Sequence, residues 1–208
     1  MEPVLDDIDG TDGTDGSDDV DVPRRGRMVL LISLVTAVVL AAFVFVLATR
    51  DPATDRETKS PLLGKVAPAL SGETLDGGTF DIDDYPGRWV VVNFFATWCV
   101  PCRTEHPQLD AFDRAHRDRG DAVLVSVIYD DKTDDAREFF AENGGDWPVV
   151  VDGRGRLPVA YGVSGVPETY LIDPDGRVFV KLIGGVTKEG LEQLMDEWEQ
   201  ARVAGSDS

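Results

Sequence analysis

The run Met28–Ala48 holds 21 consecutive residues without a charge, and Ser33 and Thr36 are its only polar members. At a rise of about 1.5 Å per residue, a helix of this length is about 31 Å long, close to the thickness of a hydrocarbon core. A globular helix that long carries a polar face; this run has none. The pattern predicts a transmembrane helix over 28–48. A cleaved secretory signal is the competing reading, since Val46-Leu47-Ala48 ends in a small residue. The apolar core of such a signal, however, is usually about 7–15 residues. Arg24, Arg25 and Arg27 precede the run, and Arg50, Arg56, Lys59 and Lys65 follow it. The positive-inside count therefore leaves the orientation open.

The run splits the chain into zones of different composition. From Met1 to Pro23 there are nine acids and no Lys or Arg, and Asp-Gly-Thr repeats at 9–11 and 12–14 before decaying to Asp15-Gly16-Ser17. Glycine and like charge at this density bury too little apolar surface to offset the entropy of ordering the backbone. Residues 1–27 are predicted to be a disordered acidic tail ending in a basic flank. A calcium loop would need a terminal glutamate and flanking helices, and the segment has neither. Residues 49–61 read as a polar linker. Residues 62–204 are enough for one domain with a real core, and 205–208 form a short disordered tail. The whole chain carries 39 acids against 20 Lys plus Arg, a net charge of −19. Residues 51–208 hold 30 of the acids and 16 of the bases, or −14, so the domain itself is acidic. That balance argues against nucleic acid as a partner, since such a surface must neutralise phosphates. Only two cysteines are present, which excludes a disulfide-rich mini-fold and a four-thiolate zinc site.

Within the domain, Trp89–Ala96 and Ala122–Ile128 are apolar, β-branched and aromatic runs, as expected of buried parallel strands. Between them Val100–Arg119 has helical spacing, with Leu109, Phe112 and Ala115 on one side and a kink expected at Pro107. Thr133 is placed to cap a second helix with Phe139 and Phe140 buried, and Val149–Val151 is a short strand. Glu168–Ile172 and Val178–Ile183 flank the turn Asp173-Pro-Asp-Gly176 as a hairpin. Leu191, Leu194, Met195 and Trp198 mark a final amphipathic helix. Asp76-Gly77-Gly78, inside Ala67–Tyr85, suggests a lead-in hairpin. The predicted class is α/β with a mixed sheet.

Both cysteines fall in Trp98-Cys99-Val100-Pro101-Cys102, where an apolar strand hands over to a helix. At a helix N-terminus the unpaired N–H groups and the macrodipole favour a thiolate on Cys99. Two intervening residues allow a short disulfide, and Pro101 stiffens the helix start without removing a needed hydrogen bond. A zinc site would have to recruit His106 and His116, and haem attachment needs a histidine where Arg103 stands. An inert structural disulfide is the remaining alternative to dithiol–disulfide exchange.

The segments Val91-Val-Asn-Phe-Phe-Ala-Thr-Trp-Cys-Val-Pro-Cys-Arg-Thr-Glu-His-Pro107 and Gly165-Val-Pro-Glu-Thr-Tyr-Leu-Ile-Asp173 resemble the thioredoxin-like superfamily. More narrowly, they resemble its membrane-anchored thiol:disulfide interchange proteins of cytochrome c biogenesis. The resemblance covers 62–204. It implies a thioredoxin-like fold, a mixed central sheet flanked by helices, here with the N-terminal β-hairpin as an extension. It implies that Cys99 is the nucleophile of a redox-active disulfide and Cys102 its resolving partner. Pro167 matches a cis-proline facing that disulfide, with the backbone of Val166 free to pair with a substrate strand. Trp98, Pro101 and Glu168 complete the implied substrate-binding surface. Glu105 matches an acid near the cysteines, and it or Glu168 would raise a thiol pKa or relay a proton. Asn93 departs from the aspartate that cytosolic thioredoxins bury before the motif, a role Glu105 would take over. Neither His106 nor His116 is expected to have a role in the chemistry, and His106 is read as a partly exposed structural residue.

No metal and no cofactor are expected. By the same resemblance the protein's partners are a protein disulfide substrate (apocytochrome c or its thiol chaperone), a membrane electron donor of the disulfide-reductase type, and the lipid bilayer through 28–48. The implied location is the bacterial plasma membrane, single-pass, with the catalytic domain on the extracytoplasmic side. Two alternatives stay open: a general extracytoplasmic thiol–disulfide reductase or oxidant with other clients, and a non-catalytic tethered binding module with the cysteines permanently bridged.

Overall fold

In the computed structural model, residues 25–48 and 60–206 are described, and they fall in two units, Met1–Arg50 and Asp51–Ser208. In the first, helix α1 spans Arg25–Ala48 and so starts three residues ahead of the expected 28. Its side chains are described from Met28 to Phe43, and all are exposed. Thr36 Oγ1 donates to the Ile32 carbonyl at 2.8 Å, returning its one polar hydrogen to the helix itself. Among the described residues no helix is long and apolar enough to cross a membrane. The expected acidic tail up to residue 24 and the linker over 49–59 lie outside the described residues.

In the second unit, β1 (Ser71–Glu73) and β2 (Thr79–Asp81) form the lead-in hairpin, followed by a 3-10 turn at Ile82–Asp84. Then come β3 (Trp89–Phe95), α2 (Val100–Arg117), β4 (Ala122–Ile128), α3 (Thr133–Asn143), β5 (Val149–Val150) and α4 (Arg156–Tyr161). The chain closes with β6 (Glu168–Ile172), β7 (Val178–Ile183) and α5 (Lys188–Ser206). The main sheet has the order β5-β4-β3-β6-β7. Strands β3, β4 and β5 are parallel, and β6 and β7 are antiparallel to their neighbours.

Every residue of β3 is buried, as its unbroken apolar run requires of a central strand covered on both faces. Alternation then sorts the two faces. Trp89 and Val91 pack with Leu109 and Phe112 of α2 and with Leu191, Leu194 and Met195 of α5. Val90, Val92 and Phe94 pack with Tyr161, Tyr170 and Val178 and with Leu70 and Phe80 of the hairpin region. On α2 the buried residues Cys102, Glu105, His106, Leu109, Phe112, Asp113 and His116 follow the helical period. Pro107 lies on the exposed side of α2, which runs unbroken to Arg117.

Hairpin β1–β2 lies along β5: Leu75 N–H donates to Val149 O, and Val151 N–H to Glu73 O, both at 2.9 Å. The approach is close enough that a Cβ on Gly72 would sit 2.8 Å from Val150 Cγ1.

Several expectations need correction. Thr133 is the first residue of α3, and Lys132 holds the cap position without a side-chain hydrogen bond. Phe139 is buried but Phe140 only partly so. Strand β5 stops at Val150. Helix α5 continues through Ser206, so 205–206 are helical, and 207–208 lie outside the described residues. Both histidines are buried, so His106 is not the partly exposed residue expected. His106 is buried among the rings of Phe139, Phe140 and Trp147 with Nε2 2.9 Å from Gly144 O, and burial lowers its pKa. His116 stacks on Phe112 at 4.2 Å and meets Asp121 at 2.9 Å. Helix α4 has no counterpart among the elements expected from the sequence. It is six residues long, and Gly162 ends it in a left-handed conformation (φ 66°) that a side chain rarely adopts.

Candidate active site

Strand β3 ends at Phe95 and α2 begins at Val100, so Cys99 occupies the N-cap of α2. Its Sγ accepts the Cys102 N–H at 3.2 Å. An unpaired N–H at a helix start therefore points at the sulfur, the arrangement that stabilises a thiolate. Cys99 and Cys102 are joined as a disulfide, with Cα atoms 5.3 Å apart. Cys99 is 4% exposed and Cys102 0%, whereas the flanking Trp98 is 58% exposed. Val100 is exposed as well, so exposed apolar side chains flank the less buried of the two cysteines. Pro101 stands in the first turn. Cys99 and Cys102 cluster with Phe95, Ala96 and Phe139, and Val166 packs against this cluster. The Val166–Pro167 peptide is cis.

The loop after β4 holds the motif in place. Trp98 Nε1 donates to Asp130 O at 3.0 Å, and Thr97 N–H donates to Asp131 Oδ2 at 2.5 Å. Asp131 Oδ1 also accepts the Lys132 N–H at 2.8 Å. Asp130 has φ 43°, a left-handed conformation that aspartate tolerates better than most residues. Sequence reasoning missed both residues, although an Asp-Asp pair between a buried strand and a helix start is a turn signal. Asp131→Ala is expected to cost about 1–2 kcal/mol, as for loss of a capping carboxylate. Urea unfolding would check the cost, and faster hydrogen exchange at the Thr97 amide would locate it.

Glu105 lies one helical turn past Cys102, 3% exposed. Burial pushes its carboxyl up to about 7, against the lowering effect of hydrogen bonds from Asn93 and the Val186 amide. Asn93 Nδ2 donates to Glu105 Oε1 at 2.9 Å and to Thr169 Oγ1 at 3.1 Å. Val186 N–H donates to Glu105 Oε2 at 3.0 Å. Asn93 Oδ1 accepts from Ser126 Oγ at 3.4 Å, and Ser126 Oγ accepts from Trp147 Nε1 at 2.9 Å. An indole N–H only donates, so Ser126 is free to donate onward and the Asn93 amide is turned with its nitrogen toward Glu105. Ser126, Trp147, Thr169 and Val186 are further residues that the sequence did not single out. The strand pairing Asn93↔Ser126 and Asn93↔Thr169 explains why Ser126 and Thr169 both meet Asn93.

Glu168 is placed elsewhere. Alternation along β6 sends Thr169 to Asn93 and Glu168 to the other face, where its carboxylate meets Lys181 and Ser164. The structure therefore brings Cys99, Cys102, Trp98, Pro101, Val166 and Pro167 to one end of the sheet with Glu105 behind them, and turns the Glu168 side chain away from Glu105. Among the described residues there is no group of three or more His, Cys, Asp or Glu that would hold a metal ion.

A thiol held at a helix start, with a second buried one turn in, can form and break one disulfide with little backbone movement. On a β5-β4-β3-β6-β7 sheet this is the working end of a thioredoxin-like thiol–disulfide oxidoreductase. The chain belongs to the Redoxin family, whose sequence profile matches residues 62–194. It is 34% identical over 134 residues to the thiol-disulfide oxidoreductase ResA of Bacillus thuringiensis subsp. konkukian, covering 64% of this chain and 76% of that one. It is 32% identical over 166 residues to the thiol:disulfide interchange protein HelX of Rhodobacter capsulatus, covering 76% of this chain and 89% of the relative. Among solved structures, a putative thiol:disulfide interchange protein DsbE from Chlorobium tepidum is similar. Its TM-score is 0.58 at 31% identity, with 68% of this chain and 96% of that chain covered.

Proposed function

We propose that the protein is a membrane-anchored reductant of extracytoplasmic protein disulfides, with apocytochrome c or its thiol chaperone as client. The observation that carries the chemistry is the Cys99 sulfur, capped by the Cys102 amide at the start of α2 with its disulfide partner buried beneath it. In the reduced protein the Cys99 thiolate attacks a client disulfide. A Cys99–client S–S bond forms, the client bond breaks, and the released client thiolate takes up a proton. Cys102 then attacks Cys99 Sγ, which frees the second client thiol. The client gains two electrons and the Cys99–Cys102 pair becomes the disulfide. Glu105, poised near neutrality, takes the proton that Cys102 must lose. An oxidising compartment would trap the pair as the disulfide, so a membrane electron donor of the disulfide-reductase type restores the dithiol.

Support for the client strand docking beside Val166 is its place against the cysteine cluster. Support for anchoring is the uncharged 21-residue run 28–48 of the sequence. Support for the cytochrome c role is the resemblance of the Cys99 and Pro167 segments to proteins of that pathway. The reduction potential of the pair tests the direction. A reductant is expected near or below about −200 mV, and a value around −120 mV, like that of dedicated disulfide formers, would reject it. Deleting the gene should lower covalently attached haem c; unchanged levels would assign other clients.

A further inference from the structure

Glu168 and Lys181 form an ion pair of 2.8 Å with side chains only 1% and 8% exposed. Burying such a pair is costly unless its remaining lone pairs and protons find partners, and here one short stretch of chain supplies a partner to each member. Glu168 Oε1 accepts both the Ser164 N–H at 3.0 Å and the Ser164 hydroxyl at 2.6 Å. Lys181 Nζ donates to Gly162 O at 2.9 Å and sits 5.3 Å from the centre of the Tyr170 ring. The Tyr170 hydroxyl donates to Tyr161 O at 2.7 Å and lies 3.4 Å from Glu168 Oε2. Side chains of two paired strands, β6 and β7, thus grip Tyr161, Gly162 and Ser164. Those residues lead directly into Gly165, Val166 and cis-Pro167.

We propose that Lys181 and Glu168 are positioning residues whose buried pair fixes segment 162–167, and with it the Val166 backbone that receives the client strand. The inference rests on the reading of Val166 as the docking edge. It gives Glu168 a role in client affinity and none in thiol protonation, since the Glu105 chain lies on the other face of the sheet. A buried pair with an apolar replacement of similar size is often near neutral in stability, so its value here is the placement of a loop.

The test compares the full chain in detergent micelles with Lys181→Met, Lys181→Arg and Ser164→Ala. Ser164→Ala removes one hydroxyl and keeps the charges paired, so it reads the grip even if Lys181→Met does not fold. Oxidised insulin with dithiothreitol supplies a protein disulfide, and 5,5′-dithiobis(2-nitrobenzoate) a small one that needs no strand pairing. Both Lys181→Met and Ser164→Ala should raise KM for insulin, by about tenfold and about threefold respectively, with kcat held and Lys181→Arg close to wild type. Hydrogen exchange at the Ser164 amide should quicken by about tenfold or more in Lys181→Met and less in Ser164→Ala. An unchanged insulin KM together with a still-protected Ser164 amide overturns the proposal. So does a shifted pH profile of the small-disulfide reaction in Glu168→Gln, which would make Glu168 a group acting on the thiols. Val166→Pro separates the two ideas: an unchanged insulin KM there rejects strand docking, while Ser164 exchange still reports on the grip.

Discussion

Cys102→Ala is expected to turn the protein from a turnover catalyst into a trap. With Cys102 fully buried behind Cys99, an incoming client sulfur meets Cys99 first, and the mixed disulfide that follows has one designed exit. That exit is attack by the thiol held three residues away, and effective molarities for such well-placed intramolecular groups reach about 10⁵ M and beyond. A millimolar external thiol cannot match this, so multiple turnover should fall on the order of 10⁴-fold or more. On a non-reducing gel the variant should carry one client per chain, releasable by reductant, where wild type carries almost none. Cys99→Ser should capture nothing. Turnover within tenfold of wild type in Cys102→Ala, or client captured by Cys99→Ser, would reverse the two assignments. Absence of any captured species under exchange conditions would instead favour a binding module with a permanent disulfide.

Glu105 should leave a second large mark, on stability as a function of pH. Its carboxyl is raised from 4.5 to about 7 chiefly by burial. Below about pH 4.5 both the folded and the unfolded chain hold this proton, and the folded state gives up nothing. Between about 4.5 and about 7 the unfolded chain releases the proton while the folded chain keeps it, so stability declines as pH rises. The decline levels off above the folded value and amounts to about 3 kcal/mol. Glu105→Gln removes the titration. It also sets an amide N–H₂ against either the Asn93 or the Val186 donor, so the variant should be less stable than wild type at low pH. The diagnostic quantity is the difference between the two proteins. Urea unfolding of the oxidised forms should show wild type losing its advantage by about 3 kcal/mol between about pH 4 and pH 8. Parallel curves would mean that the carboxyl is already ionised in the fold. The same titration should appear in exchange kinetics, because an ionised Glu105 disfavours a neighbouring thiolate.

The elements legible in the sequence are those whose pattern is local. Trp89–Phe95 and Ala122–Ile128 announce buried central strands by lacking polar alternation, and the 191, 194, 195 spacing marks the buried face of α5. The Cys99 and Pro167 motifs carry their own turn chemistry. What the sequence hides is set by register and parity. His106 looks half-exposed on its own helix, yet its cage comes from Phe139, Phe140 and Trp147, more than thirty residues on. The chain from Trp147 through Ser126 to Asn93 exists because β3 pairs with β4 at Asn93↔Ser126, and β5, which Trp147 leads into, pairs with β4 at Ser126↔Val149. Glu168 adjoins the cis-proline in sequence, but one step along a strand reverses the side-chain direction, and Lys181 becomes its partner through the β6–β7 pairing. Helix α4, with Pro158 inside six residues, is too short to show a period.

The lead-in hairpin looks like an ornament on the five-stranded sheet, but it decides where the chain can be cut. Without residues ahead of Trp89, strand β5 would lose its hydrogen-bonded neighbour along Val149–Val151. The surface that Leu70 and Phe80 cover would lie open as well. An unpaired parallel edge beside uncovered Val and Tyr side chains is a template for self-association. A truncation meant to yield a tractable catalytic fragment should therefore begin before Ser60, where the first turn forms. A fragment starting at the first central strand would keep both sulfurs and the cis-proline and still be lost to precipitation.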